Sequence, residues 1–333
     1  MQPKVSIIIS NRNDTVMLSV TVRSCIEELK PLGFGNSEIV ICDNSDTEIY
    51  KRLNSIIPLK YIQDGVIKVI RQDFPCLFTA RETAISNAKG TYIICLDSHM
   101  IVGRNMIVDL VDFMDSKEYD ETLGFAHAPI NWAHQHESRS KHDRDMSINE
   151  LGDWGTSYPQ PRTITWKGMP WICRREFFST INGYGALSKH KVSWGGGDMH
   201  IGIKPWLLGF KNWAVPTSPA IHIGPFPKVD GVNNDKYRLY STSGNFPHTF
   251  GFLVACYVLG GESMMRRNKQ AIKERFGKFI NVDREWKKAI KIGSEEREWL
   301  LSNQKISFEE LLKSKPWELN PGARELINGN TDI

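Results

Sequence analysis

No two of the six cysteines (Cys25, Cys42, Cys76, Cys95, Cys173, Cys256) stand in a CxxC spacing, so the chain has no paired-thiol motif to build a site on. Cys42 and Cys95 sit inside apolar runs and read as small buried hydrophobes. The expectation is reduced structural thiols in a cytoplasmic protein. No apolar run is long enough to span a bilayer; Phe250–Gly260 is apolar but too short. Met1-Gln2-Pro3-Lys4 leads directly into a strand with no signal-peptide pattern, so no integral membrane contact is expected. The net charge of +4 permits an anionic ligand without demanding nucleic acid. Internal repeats and low-complexity tracts are absent. What remains is an ordinary globular composition, 41% hydrophobic and 24% charged over 333 residues. That is enough for one large domain or two smaller ones.

The N-terminal third alternates strand and helix. Val5–Ser10, Glu38–Cys42, Val66–Ile70 and Thr91–Leu96 are short apolar runs bounded by polar residues. Such runs form strands buried on both faces of an α/β sheet. Between them Val16–Leu29, Tyr50–Ile57 and Leu77–Ala88 have helical spacing, the last closed by Lys89-Gly90, a cation and a glycine suited to a helix C-terminus. Strands alternating with helices imply right-handed crossovers and a parallel sheet. In such sheets ligands bind outside the carboxyl ends of the strands. Thr91–Leu96 ends there in Asp97-Ser98-His99. Residues two apart in extended backbone point the same way, so Asp97 and His99 could together hold a divalent metal.

Three further polar groups fall on the same edge: Asn11-Arg12-Asn13-Asp14, Asp43-Asn44-Ser45-Asp46, and Arg81 on its helix. Together they suggest a nucleotide site. Asp43 could accept from a pyrimidine N–H or a ribose hydroxyl, and Arg81 could neutralise a phosphate or pair with Asp43.

From Phe125 to Phe226 the chain turns rich in Trp, Gly, Pro and His. Gln135–Pro161 reads as a long excursion. Thr163–Ile172 and Lys211–Val215 read as strands and Arg174–Thr180 as a short helix. Trp194-Gly195-Gly196-Gly197-Asp198 offers backbone freedom and then an acid opening a helical segment, Met199–Leu208, interrupted at Pro205. Asp198 is either a helix cap or a general base. His222 follows a strand-like run and becomes a third candidate metal ligand beside Asp97 and His99. His134 and His136, close to His127 and His142, lack a matching carboxylate or cysteine and read as part of a polar loop. Beyond Gly260 the chain is charged and helical, with Phe276, Phe279, Trp286, Ile290, Trp299 and Leu300 as a packing stripe.

Taken in order, these residues resemble a GT-A glycosyltransferase. The first hundred or so residues are similar to the family 2 glycosyltransferases at Val5–Ser10, Asp43, Ala80-Arg81 and the passage from Ala80 to Ile94. Asp97-Ser98-His99, Trp194-Gly195-Gly196 and His222 resemble the polypeptide N-acetylgalactosaminyltransferases. The resemblance spans roughly residues 4–240. It departs where that family has Trp-Gly-Gly-Glu and this chain has Gly197 followed by Asp198, and no lectin-like C-terminal domain or membrane anchor is evident. The resemblance implies a Rossmann-like, mostly parallel sheet flanked by helices, with a nucleotide-binding half over 1–124, an acceptor and catalytic half over 125–255, and a helical C-terminal extension over 256–333.

It also implies a metal-dependent transfer of a hexosyl or N-acetylhexosaminyl group from a nucleotide-sugar, a UDP-sugar foremost, to an acceptor hydroxyl. Asp97, His99 and His222 would hold the metal. Their imidazoles favour Mn²⁺ over Mg²⁺, which stays possible. Asn11, Arg12, Asp43 and Arg81 would bind the nucleotide. Trp194, Gly195 and Gly196 would wall the sugar, and Tyr237 and Arg238 would reach the pyrophosphate from a closing loop over 224–245. Both stereochemical outcomes stay open. Asp198 as base favours inversion, and retention needs no base there. Two other functions remain: a phage-type transferase that glycosylates hydroxymethylated pyrimidines in DNA, using basic runs Arg139–Arg144 and Arg266–Lys278, and an inactive GT-A scaffold. The expected location is the bacterial or phage-infected host cytoplasm.

Overall fold

The computed structural model describes residues 2–133, 168–223, 250–276 and 281–316, with five short strand pieces between 142 and 233. Strand β1 (Val5–Asn11) is buried along its whole length, as is β2 (Ser37–Asp43). β3 (Ile67–Arg71), β4 (Tyr92–Asp97) and the two-residue β5 (Met100–Ile101) follow. β6 (Leu123–His127), β7 (Ile130–Ala133), β8 (Trp171–Arg174), β9 (Lys211–Ala214) and β10 (Ala220–Ile223) complete the labelled strands. The main sheet has seven strands in the order β9-β6-β8-β4-β1-β2-β3. β8 alone runs against its neighbours β4 and β6, so the sheet is mixed and mostly parallel. A second sheet joins β5, β10, β7 and the piece His142–Asp143, and sets His222 opposite Met100.

Helix α1 (Thr15–Leu29) buries Met17, Leu18, Thr21, Val22, Cys25, Ile26 and Leu29, a spacing of three and four that gives one apolar face. The expected helix over 50–57 is instead three short turns, α2 (Thr47–Tyr50), α3 (Leu53–Ile56) and α4 (Leu59–Gln63). Pro58 stands as the N-cap of the last of these, where a continuous helix would have lost a hydrogen bond to it. α5 (Leu77–Ser86) ends before Lys89-Gly90. Gly90 is therefore no helix cap. A Cβ there would stand 2.6 Å from the Ser6 backbone nitrogen, so the glycine lets the chain pass directly over β1. α6 (Met106–Ser116) follows.

α7 (Arg175–Thr180) and α8 (Gly185–Lys189) lead to α9 (Gly197–Leu207). α9 runs through Pro205 rather than breaking at it, and ends two residues later. Of the strand expected over 163–172, residues 163–167 lie outside the described chain, and β8 begins only at Trp171. α10 (Phe250–Phe276) breaks at Gly261, whose φ is +67°. The carbonyls of Val258 and Leu259 thereby freed are both taken by Arg297 on α11 (Val282–Asn303). Trp286, Ile290 and Trp299 on that helix pack on the core, and Leu300 is buried within it. α12 (Phe308–Ser314) closes the described chain with a capping box on Ser307 and Glu310. No helix among the described residues is long and apolar enough to cross a membrane. All six cysteines are buried and unbridged.

Candidate active site

Parallel alignment of β3, β2, β1 and β4 brings their carboxyl ends to one edge. The loops after β1 and β2 interlock there. Asn11 Nδ2 donates to Asp43 Oδ2 at 2.5 Å. Arg12 donates to the Asn44 carbonyl at 2.7 Å. Asn13 and Asp46 exchange two bonds, of 3.0 and 2.9 Å. Asp43 is fully buried. Its Oδ1 accepts from the Ser45 N–H at 3.0 Å, and its Oδ2 from the Ser45 hydroxyl at 2.9 Å. The Asp43 carboxylate is thus engaged on both oxygens by protein donors. Asn11 Oδ1 and Asn44 Oδ1 are different: they are buried at this edge with no protein partner.

Arg81 is ion-paired, but not with Asp43. Its guanidinium donates to Asp97 Oδ1 at 2.9 Å and to the Tyr184 hydroxyl at 3.1 Å. The partner of Asp43 is Arg71, 3.2 Å away, which also donates to the Ser45 carbonyl and lies over the Tyr50 ring. Sequence reasoning passed over Arg71 by ending the strand one residue early, at Ile70. A cation at a strand's carboxyl end was the available signal. Tyr184 gave no signal at all.

The third group forms a compact cluster. One ligand atom from each of Asp97, His99 and His222 lies within 4.8 Å of the others. The His99 and His222 Nε2 atoms are 3.1 Å apart, with the rings perpendicular. Asp97 Oδ2 is 3.7 Å from His222 Nε2. Two imidazole nitrogens and a carboxylate oxygen converging in this way suit a divalent transition metal. Burial by itself would raise the Asp97 pKa. Arg81 first, then His99 and His222, more than offset it, and the carboxyl lies below its ordinary value. Asp97 is therefore ionised, as a ligand must be.

The backbone around His99 is fixed from two sides. Thr21 on α1 donates to the Ser98 carbonyl at 3.0 Å and accepts from the Met100 N–H at 2.9 Å. The His99 carbonyl accepts from the Ile223 N–H at 2.9 Å, which ties the loop to the strand that carries His222.

Trp194, Gly195 and Gly196 lie at the start of α9, beside α5: the Ser193 carbonyl accepts from the Leu77 N–H. Gly196 has φ +74°, and a Cβ there would meet the Gly251 carbonyl at 2.6 Å. The turn is thus glycine because α10 begins against its backbone. Asp198 Oδ2 accepts from the Gly168 N–H at 3.0 Å. Asp198 also lies within electrostatic reach of Arg81. Tyr237, Arg238, His134 and His136 lie outside the described residues, as do the loop over 224–245 apart from Lys228–Val229 and Val232–Asn233 and the run 139–144 apart from His142–Asp143; His127 is buried in β6.

A family model described as glycosyl transferase family 2 matches residues 6–160. The solved structure of GalNAc-T7 with UDP, GalNAc and Mn²⁺ superposes with a TM-score of 0.63 at 19% identity, over 96% of this chain and 59% of that one. The fold is GT-A. The GT-A chain is also 27% identical over 241 residues, 66% of its length, to the inactive polypeptide N-acetylgalactosaminyltransferase-like protein 5 of Macaca fascicularis. It is 31% identical over 101 residues, 30% of its length, to glycosyltransferase GlyG of Streptococcus pneumoniae serotype 4. It spans 52% of the first relative and 33% of the second. The mixed seven-stranded sheet and flanking helices are the GT-A architecture, and the C-terminal helices follow it in the chain.

Proposed function

We propose that this GT-A chain transfers a hexosyl or N-acetylhexosaminyl group from a UDP-sugar to an acceptor hydroxyl, with Mn²⁺ as its metal. The observation that carries the reading is the convergence of Asp97, His99 and His222 at the carboxyl edge of the sheet. Asp97, His99 and His222 would hold a divalent cation, which would supply positive charge near the departing diphosphate. Arg81 holds Asp97 by one oxygen and leaves the other turned toward the histidines. The interlocked loops carrying Asn11, Arg12 and Asp43 frame the nucleotide, and the unpartnered Asn11 and Asn44 oxygens suit donors on its base or ribose. In this frame Asp43 acts by fixing the loops. Trp194, Gly195 and Gly196 border the sugar.

Asp198 takes the proton from the acceptor hydroxyl as the new bond to the anomeric carbon forms and the sugar–phosphate bond breaks, its electron pair leaving with the nucleoside diphosphate. The outcome is inversion. Asp198→Asn is expected to reduce transfer by about 10²–10⁴-fold, the usual range for a general base. Transfer within about tenfold of wild type would remove Asp198 from that role and point to retention.

A second reading has one observation in its favour. One curated relative, matched over 241 residues, is named as inactive, which favours a GT-A scaffold. Incubating the protein with UDP-, GDP- and dTDP-sugars, with Mn²⁺ or EDTA, and measuring nucleotide release separates the two. Slow Mn²⁺-dependent release from a UDP-sugar supports the transferase. No release and no nucleotide-dependent thermal shift across the panel favours the scaffold. Addition of DNA containing hydroxymethylated pyrimidines to the same assay tests DNA as the acceptor.

A further inference from the structure

Asp14 occupies the N-cap position of α1, yet its side chain makes no capping hydrogen bond. An aspartate in that position ordinarily accepts from an N–H of the first turn. Here the carboxylate is buried and turned the other way, with Oδ2 3.1 Å from His99 Nδ1. The same helix, through Thr21, clamps the peptide groups on either side of His99. One element thus grips both the backbone and the ring of a single histidine. The far nitrogen of that ring is the atom 3.1 Å from His222 Nε2.

We infer that Asp14 is a positioning residue: its carboxylate accepts from His99 Nδ1–H, fixing the tautomer in which the Nε2 lone pair faces Asp97 and His222. The tautomer follows from the partners. An ionised carboxylate can only accept, so the proton sits on Nδ1 and Nε2 is left as a donor of electrons. His99 is thereby preset for a metal. Carboxylates in this relation to a ligating imidazole orient the ring and raise its basicity. The assignment rests on the metal-dependent reading above only for its purpose. The tautomer itself is a property of the protein alone.

The test uses the full-length protein with ¹⁵N-labelled histidine at a pH above the imidazole range, about 8. Wild-type His99 is expected to show a protonated Nδ1 and a bare Nε2. Asp14→Ala is expected to lose this preference, and Asp14→Asn, whose amide oxygen still accepts, to keep it. Mn²⁺ affinity read by electron paramagnetic resonance is expected to fall about 10–100-fold in Asp14→Ala and to recover in large part in Asp14→Asn. Thermal melting of each variant establishes that it is folded. An unchanged tautomer in Asp14→Ala, with Mn²⁺ affinity within about twofold of wild type, overturns the assignment. A tautomer switch in a protein that binds no Mn²⁺ supports the role of Asp14 while it defeats the metal-dependent reading.

Discussion

Asp97→Asn is expected to reduce sugar transfer by about 10³-fold or more while the chain stays folded. Asparagine keeps the shape of the side chain and one carbonyl oxygen, so it can still accept from Arg81 in place of Asp97 Oδ1. What disappears is the charge. The oxygen now 3.7 Å from His222 Nε2 becomes either an amide nitrogen, which is no metal ligand, or a neutral and weaker donor. Arg81, which is only 3% exposed, loses the counter-charge it contacts. Removing one member of a buried pair costs several kcal/mol, and the retained hydrogen bond reduces that to about 2 kcal/mol. Nucleotide release, Mn²⁺ affinity and the melting temperature measured on one preparation separate the two effects. Transfer within tenfold of wild type at saturating Mn²⁺ would show that Asp97 is not a ligand the reaction needs.

Glu296→Ala is expected to lower the free energy of unfolding by about 3–5 kcal/mol. Glu296 lies on α11 but reaches into the core, where it accepts from the Ala186 N–H at 2.6 Å and from Lys204 Nζ at 2.7 Å. The His200 ring nitrogen is 3.0 Å away. Lys204 is fully buried, and its other bond goes to the neutral Gly183 carbonyl at 2.7 Å, so alanine takes the contacting anion away from an ammonium in the interior. Pairing Glu296→Leu with Lys204→Met removes both charges and is expected to recover much of the loss, as apolar replacements of buried pairs do. Equal stability of Glu296→Ala and wild type in urea would contradict this account.

The same contact sets a pH dependence. Burial alone would raise Glu296, but His200 and Lys204 bring its pKa down from 4.5 to about 2. A carboxyl depressed on folding contributes stability above its unfolded value and loses it as protons bind the native state. The contribution, about 3 kcal/mol, is therefore whole above pH 4.5 and fades as pH falls toward about 2. Urea midpoints across that window should drop less steeply in the double variant, Glu296→Leu with Lys204→Met, than in wild type.

How much of this could be read from residues alone depends on how far each contact lies along the chain. The sheet was legible because its strands are buried on both faces and so are uniformly apolar. Asp97 and His99 were legible because they end such a run. For Arg81 the sequence left a phosphate and Asp43 open as partners, and the structure pairs it with Asp97. The crossover from β3 to β4 carries α5 past β1, which sets Arg81 beside Asp97 and leaves Asp43 to Arg71. The loop Asn11–Asp14 read as one nucleotide-binding group. Because β1 lies between β2 and β4, its loop has a neighbour on each side. Asn11, Arg12 and Asn13 turn to the loop after β2, and Asp14 turns to His99. Nothing in the sequence marked Glu296, since its partners are about a hundred residues away.

His222 and His99 are separated by 123 positions, and they meet only because β10 has paired with both β5 and β7. The site therefore cannot exist in any partly formed chain that lacks β10, however complete its nucleotide edge. Closing so long a loop is entropically costly, and an ion bound across it would act as a cross-link, stabilising the native state by an amount that grows with the logarithm of its free concentration over its dissociation constant. If the contact forms late, such a cross-link slows unfolding and leaves the folding rate almost untouched. Metal would then be a determinant of how long the folded protein lasts, apart from anything it does for a substrate.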